Sequence, residues 1–377
     1  MTSASHSIDQ DPTPSDSRAD TGPIVVAVGG VNVSRVLRAA ELLSRGSDRK
    51  VIVLAVLERL PVYGMGIQVA MGTADFDDER EGLLLAQRKG DVERAVGTHA
   101  SWSVRVVYGE PSRTIAEVAQ EEKASLIVMG IGRHTPLDRV LGAEATLRTV
   151  RRASCPVFAV GSTLDALPHE VVIATDFSPA SARAAQLVLP LLGARASLHF
   201  VHAWQPIELV SPRAREIDAA YQSAISDGFD RFVKAVSAPA DSVVTVDTVR
   251  GNPAEGILDF ANEHAADLIV AGREGLGRIE RLLLGSVSAT LLRGATCSVF
   301  IARQPASVDV HQLQRLLSGR SQTHLPEQWS VELNAFTRRN AGRRIELQST
   351  YPTLVAATQE SGFSLLGTVY DLSLIHI

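Results

Sequence analysis

Residues 268–287 read Leu-Ile-Val-Ala-Gly-Arg-Glu-Gly-Leu-Gly-Arg-Ile-Glu-Arg-Leu-Leu-Leu-Gly-Ser-Val. Leu268 to Ala271 is a short apolar run of strand type, closed by Gly272. Gly275 follows, then nine residues, then Gly285-Ser286 and an amphipathic helical stretch, Val287 to Leu292. Glycines let a backbone come close to a ligand. A helix opening at Gly285-Ser286 would present free N–H groups and the positive end of its dipole to an anion. The Ser286 hydroxyl could add a hydrogen bond to a phosphate oxygen, and Arg273, Arg278 and Arg281 bring positive charge nearby. Taken alone, these glycines fit a plain turn equally well.

Working outward, much of the chain is written twice at an offset of 142 residues, the distance from Gly109-Glu110-Pro111 to Gly251-Asn252-Pro253. The same offset carries Ile115 to Ile257, Leu126-Ile127-Val128 to Leu268-Ile269-Val270, Cys155 to Cys297 and Val157-Phe158 to Val299-Phe300. A period this long makes each copy a whole domain rather than a solenoid unit. In the first copy, apolar runs at Ile24 to Val28, Val51 to Leu57, Val104 to Val107, Leu126 to Met129 and Val157 to Val160 alternate with helical stretches such as Ser34 to Ser44. The second copy repeats them at Val171 to Thr175, Ser197 to Ala203, Val243 to Val249, Leu268 to Ala271 and Val299 to Ala302, with a helix over Ser181 to Leu192. Continuous apolar strands separated by helices predict an α/β fold, a doubly wound parallel sheet of five strands per copy. Ser178-Pro179 and the two Gly-x-Pro turns read as helix openings, with Pro in the first helical position.

The chain has 377 residues and a net charge of −5, which disfavours a nucleic-acid footprint or a polybasic membrane patch. No run reaches the roughly 18 apolar residues of a membrane helix. Residues 1–22 are rich in Ser, Asp and Pro and lack the apolar core of a signal peptide, so they read as a disordered tail and the location as cytoplasmic. Two cysteines give no disulfide framework; a bridge between Cys155 and Cys297 awaits geometry.

The loop Gly272-x2-Gly275-x9-Gly285-Ser286 occurs together with Thr175-Asp176-Phe177-Ser178 at the first strand end and Gly-x-Pro before the third helix. That combination resembles the universal stress protein family, over roughly residues 23–303. The resemblance implies a Rossmann-like sheet of order 3-2-1-4-5 in each of two domains, residues 23–162 and 168–303, paired as an intramolecular pseudo-dimer through their last strands. A homodimer is the alternative assembly. It also implies ATP or a related adenine nucleotide, with or without Mg2+, as ligand. By the family pattern Asp176 would face the adenosine, Ala203 would lie against adenine and Gly272 would approach the ribose. Gly275, Gly285, Ser286 and the Val287 amide would hold phosphates, with Arg273 in the same loop. Ala203 is smaller than the aliphatic residue common there, which would loosen adenine packing.

The first copy departs from this pattern. Gly29 stands where Asp176 stands, the loop Gly130-Ile131-Gly132 is one residue shorter, and Gly142-Ala143 replaces Gly285-Ser286. A lost carboxylate, a lost hydroxyl and a shortened loop act against the same ligand, each hydrogen bond being worth about 1 kcal/mol. The first copy therefore reads as a folded partner that holds nucleotide poorly.

Catalytic signals are sparse. There is no Gly-x-Ser-x-Gly elbow, no Gly-Lys-Ser/Thr phosphate loop and no metal-ligand spacing among the histidines. His99, His134 and His264 read as surface or loop residues, and His199 and His202 as hydrogen-bonded sheet residues. Glu274 and Glu280 lie near the loop but read as solvated charges rather than Mg2+ ligands. The expectation is a nucleotide-dependent regulatory module acting with a protein partner. Two alternatives are a slow ATP hydrolase or phosphotransferase on the same site and a nucleotide-free interaction module. Beyond Arg303 the repeat stops: residues 304–328 read as a linker and 329–371 as a partial C-terminal domain, resembling the start of a small bacterial domain found near stress proteins. Residues 372–377 (Leu-Ser-Leu-Ile-His-Ile) are similar to a translated sequencing-adapter end.

Overall fold

Ten strands form where the runs of Val, Ile, Leu and Ala lie, because β-branched side chains suit a pleated surface buried on both faces. In the computed structural model the described residues are 22–29, 33–58, 74–97, 99, 101–131, 136–161, 164–204, 214–273, 284–303, 348–349 and 375–376. The first half runs Ile24–Val28 (β1), Val33–Ser44 (α1), Val51–Leu57 (β2), Ala74–Val96 (α2), Trp102–Tyr108 (β3), Pro111–Glu121 (α3), Leu126–Gly130 (β4), Pro136–Arg152 (α4) and Val157–Val160 (β5). The second runs Glu170–Ala174 (β6), Pro179–Val188 (α5), Ser197–Trp204 (β7), Ala214–Val236 (α6), Val243–Arg250 (β8), Pro253–Glu263 (α7), Leu268–Gly272 (β9), Ser286–Gly294 (α8) and Ser298–Ala302 (β10). A short antiparallel pair, Gln348–Ser349 (β11) with Ile375–His376 (β12), includes two residues of the adapter-like end. The rest of the expected linker and C-terminal domain, and the expected tail at 1–21, lie outside the described residues.

The ten strands form one sheet in the order β3-β2-β1-β4-β5-β10-β9-β6-β7-β8. Each half is thus 3-2-1-4-5 with parallel pairing, as expected. The halves meet at β5 and β10, which pair antiparallel with Phe158 opposite Phe300. Both rings are fully buried, a gain of about 1.5–3 kcal/mol each over leaving them exposed. Helices α1, α2, α5 and α6 cover one face, and α3, α4, α7 and α8 the other, so each apolar layer runs through both halves. The edge strands β3 and β8 have only exposed and half-buried positions, alternating over most of β8 and the first part of β3.

Helices α2 and α6, 23 residues each, occupy stretches to which the sequence pattern assigned no element. The predicted helix over Ser181 to Leu192 instead starts at Pro179 and ends in a 3-10 turn, Leu189–Leu191. Helix openings follow the expected chemistry. Ser178 caps α5 through the Ser181 amide, and Asn252 caps α7 through the amides of Ala254 and Glu255. Glu110 caps α3 through those of Ser112 and Arg113.

Register answers the cysteine question. Val299 faces Ala159 in the antiparallel pair, which carries Cys297 to Gly161 rather than to Cys155. Neither cysteine is in a disulfide and both are buried, and burial pushes the thiol of Cys155 up to about 12. At Gly161 a Cβ would lie 2.1 Å from the Cys297 carbonyl oxygen, so only glycine fits this crossing of the two backbones. Gly161→Ala is therefore expected to cost about 1–3 kcal/mol of stability through overpacking. Gly90→Ala, on α2 with open space around it, is expected to gain about 0.5–1 kcal/mol. Denaturant midpoints of the two variants check both signs.

Candidate nucleotide site

Parallel pairing brings the carboxyl ends of β6, β7 and β9 to one edge of the sheet. Asp176 follows β6, Ala203 lies near the end of β7, and Gly272 ends β9. Strand order reverses between β6 and β9, which is where open α/β sheets form ligand crevices. Helix α8 opens beside them. Its cap position is Gly285, which has no side chain with which to cap the first turn. Ser286 is exposed there, while Gly285 and Val287 are half-buried. Among the expected site residues, Asp176, Ala203, Gly272, Gly285, Ser286 and Val287 thus fall at the same end of the sheet, and Gly275 lies outside the described residues.

Local hydrogen bonds fix this end. The Ser288 hydroxyl donates to the Gly272 carbonyl (2.7 Å), tying α8 to the strand it follows. Thr146 does the same from α4 to Gly130 (3.3 Å), at the repeat offset of 142 residues. Neither hydroxyl figured in the sequence reading, although the offset aligns them. A Cβ on Gly272 would come within 3.0 Å of the Ala180 and Ser181 backbone, so packing against the first turn of α5 by itself accounts for glycine there. Gly285 donates its N–H to the Arg273 carbonyl (2.8 Å), and Arg273 donates its own to Ala302 (2.7 Å). The base of the loop is closed by these two bonds.

Arg273 is the residue whose placement departs most from expectation. Its side chain is 1 % exposed and its guanidinium donates to the carbonyls of Arg151 (3.1 Å) and Ala153 (3.5 Å) in the first half. The charge expected beside an anion is directed across the junction between the halves, and residue 273 serves the loop with its backbone. Arg278 and Arg281 lie outside the described residues.

The turn after β6 is held in an unusual conformation. Phe177 has φ +60°, a region that bulky residues rarely enter. Its N–H donates to Thr175 Oγ1 (2.9 Å), and the next amide, Ser178, donates to Asp176 Oδ1 (3.1 Å). The Phe177 ring stacks on His202 at 4.5 Å and meets Phe229 edge-on at 5.1 Å. Strain of this kind persists where the surroundings over-determine it, often at ligand sites. Here it sets the direction of Asp176. His202 Nδ1 donates to the Thr175 carbonyl (2.9 Å), and His199 bonds Thr245 Oγ1 (2.9 Å) and Glu170 (3.1 Å). Both are bonded sheet histidines, as the sequence suggested. Among the described residues, no three His, Cys, Asp or Glu side chains converge as metal ligands.

The first half differs at the same place. Helix α4 begins at Pro136, so Gly142 lies inside it and contributes its amide to the helical ladder. The sequence had aligned Gly142-Ala143 with the helix opening at Gly285-Ser286; the earlier helix start corrects that correspondence.

Burial lowers the proton affinity of His202 below the ordinary value of 6.5, against smaller opposing effects of the Thr175 carbonyl and the Asp176 charge. The unfolded chain then takes up a proton that the folded one refuses, so this contribution to stability is full above pH 6.5 and is lost as pH falls below it. Denaturation across that range should show a shallower acid loss for His202→Gln than for the unaltered chain.

Comparison with known proteins follows the same division. Residues 21–161 and 169–303 each match the Universal stress protein family. Universal stress protein Rv2005c of Mycobacterium tuberculosis is 30% identical over 219 residues, covering 56% of this chain and 73% of that protein. Rv1636 of the same organism is 34% identical over 138 residues, 35% of this chain and 93% of its own. Among solved structures, a protein of unknown function from Pseudomonas aeruginosa covers 81% of this chain and 99% of its own at TM-score 0.53 and 15% identity. A putative universal stress protein from the same species covers 81% and 100% at TM-score 0.52 and 16% identity; these two likenesses concern the fold. No helix among the described residues is long and apolar enough to cross a membrane. With both halves matched and the 3-2-1-4-5 order present twice, the chain belongs to the universal stress protein family, as two such domains joined in an intramolecular pseudo-dimer.

Proposed function

We propose that the chain binds one ATP or related adenine nucleotide in its second half and acts as a nucleotide-dependent regulatory module of a stress response. One observation carries the reading: α8 opens on a glycine at the strand-order reversal, whereas the matching glycine of the first half lies inside α4. Free amides and the dipole of a helix start favour phosphate, and amides already in a helical ladder do not. In this reading the phosphates rest on Gly275, Gly285, Ser286 and the Val287 amide. Asp176, held by its turn, faces the adenosine. Ala203 lies against adenine, and Gly272 passes beneath the ribose with its backbone. Arg273 supports the loop from below instead of touching phosphate. Signalling follows from occupancy, read by a regulatory protein partner.

Titration calorimetry with ATP on the whole chain tests this. The expected result is one site per chain. Gly275→Trp should remove it, as should Ser286→Ala combined with Asp176→Ala, the pair costing about 2–3 kcal/mol or roughly two decades in Kd. Two equal sites, or none at millimolar ATP, would contradict the reading.

A further inference from the structure

We propose that Arg273 is a positioning residue through which the first domain holds the base of the second domain's anion loop. The inference rests on the nucleotide reading for its consequence, but its structural content stands apart from it.

Arg273 joins two structures with one residue. Its main chain bridges β10 and the cap of α8, through Ala302 and Gly285. Its side chain crosses into the first domain and donates to the carbonyls of Arg151 and Ala153, at the end of α4. The last carbonyls of a helix lack partners within it and lie at the negative end of its dipole, so a guanidinium is well matched to them. Burial of a charge this complete is tolerated only where it is hydrogen-bonded. The first domain repeats one of these backbone bonds: Ile131 donates its N–H to Val160 (3.0 Å), as Arg273 does to Ala302. It lacks the side-chain contact, because Ile131, 1 % exposed, has no side-chain charge or donor to offer the second domain. Mechanical support thus runs one way, from the domain with the closed helix start to the domain with the open one. The exposed pair Arg293–Glu144 (2.6 Å) also spans the domains, but its solvent exposure makes it a minor contributor.

The test uses the whole chain, with Arg273→Ile, which installs the first domain's residue, and Arg273→Lys, which keeps charge without the planar fork. Hydrogen–deuterium exchange without nucleotide is the first readout. Arg273→Ile should speed exchange in the peptide spanning 284–292 about tenfold, the equivalent of one charge-assisted hydrogen bond. Peptides over β5 and β10 should keep their protection, and Arg273→Lys should fall between. Unchanged exchange at 284–292 overturns the proposal, and so does an equal loss over β5 and β10, which would mark a plain stability role. Should Arg273→Ile fail to fold, Arg273→Lys carries the same comparison against the unaltered chain. ATP affinity is the second readout, expected to fall about tenfold in Arg273→Ile; an affinity equal to that of the unaltered chain overturns the coupling. If the unaltered chain binds no ATP, the proposed function fails while exchange still decides the role of Arg273.

Discussion

The antiparallel pairing of β5 with β10 is the constraint on which the rest of the molecule depends. Without it each half would end in an apolar edge, Val157–Val160 or Ser298–Ala302, with unpaired backbone groups open to aggregation. Pairing buries Phe158 and Phe300 against each other's strands and merges two five-stranded sheets into one. It also brings the end of α4 to the start of the second domain's loop, where Arg273 reaches it. Because both halves lie on one chain, this junction forms without the translational cost of joining two molecules. The connecting segment is short and anchored: Arg35 donates to the Gly161 carbonyl and Arg38 to that of Asp165.

Within this pseudo-symmetric frame the two domains have separated their chemistry. The second keeps Asp176 in a strained turn, a helix start at Gly285 and a buried arginine at the base of its loop. The first has Gly29, a helix that begins ahead of Gly142, and an isoleucine in place of the arginine. In the proposed function these differences make the first domain a scaffold for a site in the second. The hydroxyls of Thr146 and Ser288, which tie the fourth helix of each domain to the strand before it, are common to both. They belong to the fold; in the proposed function the differences belong to the ligand.

Most of the fold was legible in the sequence because a central parallel strand must be apolar on both faces, which makes runs such as Leu268 to Ala271 conspicuous. The repeat then confirmed each assignment in a second place. Helix α2 escaped because its apolar spacing is irregular, as Leu83, 69% exposed, illustrates; α6 does carry a helical repeat of buried residues, Ile225, Phe229, Phe232 and Val236, which the strand-centred reading passed over. At the candidate site, the residues singled out from the sequence fall together at one end of the sheet, although packing against α5 by itself accounts for Gly272. Direction was not legible. An arginine in a glycine loop suggests an anion, and only the junction, built from residues 120 positions or more away, turns Arg273 toward α4. The start of α4 was likewise invisible, because Gly142 matches Gly285 in spacing while the surrounding helix begins earlier.

A crystal structure of the chain grown with a non-hydrolysable ATP analogue tests the central claim most directly. The account requires triphosphate density against the amides of Ser286 and Val287 at the Gly285 turn, with the corresponding crevice of the first domain empty. Analogue seated in the first domain, or side chains closing the α8 opening in the bound crystal, would contradict it.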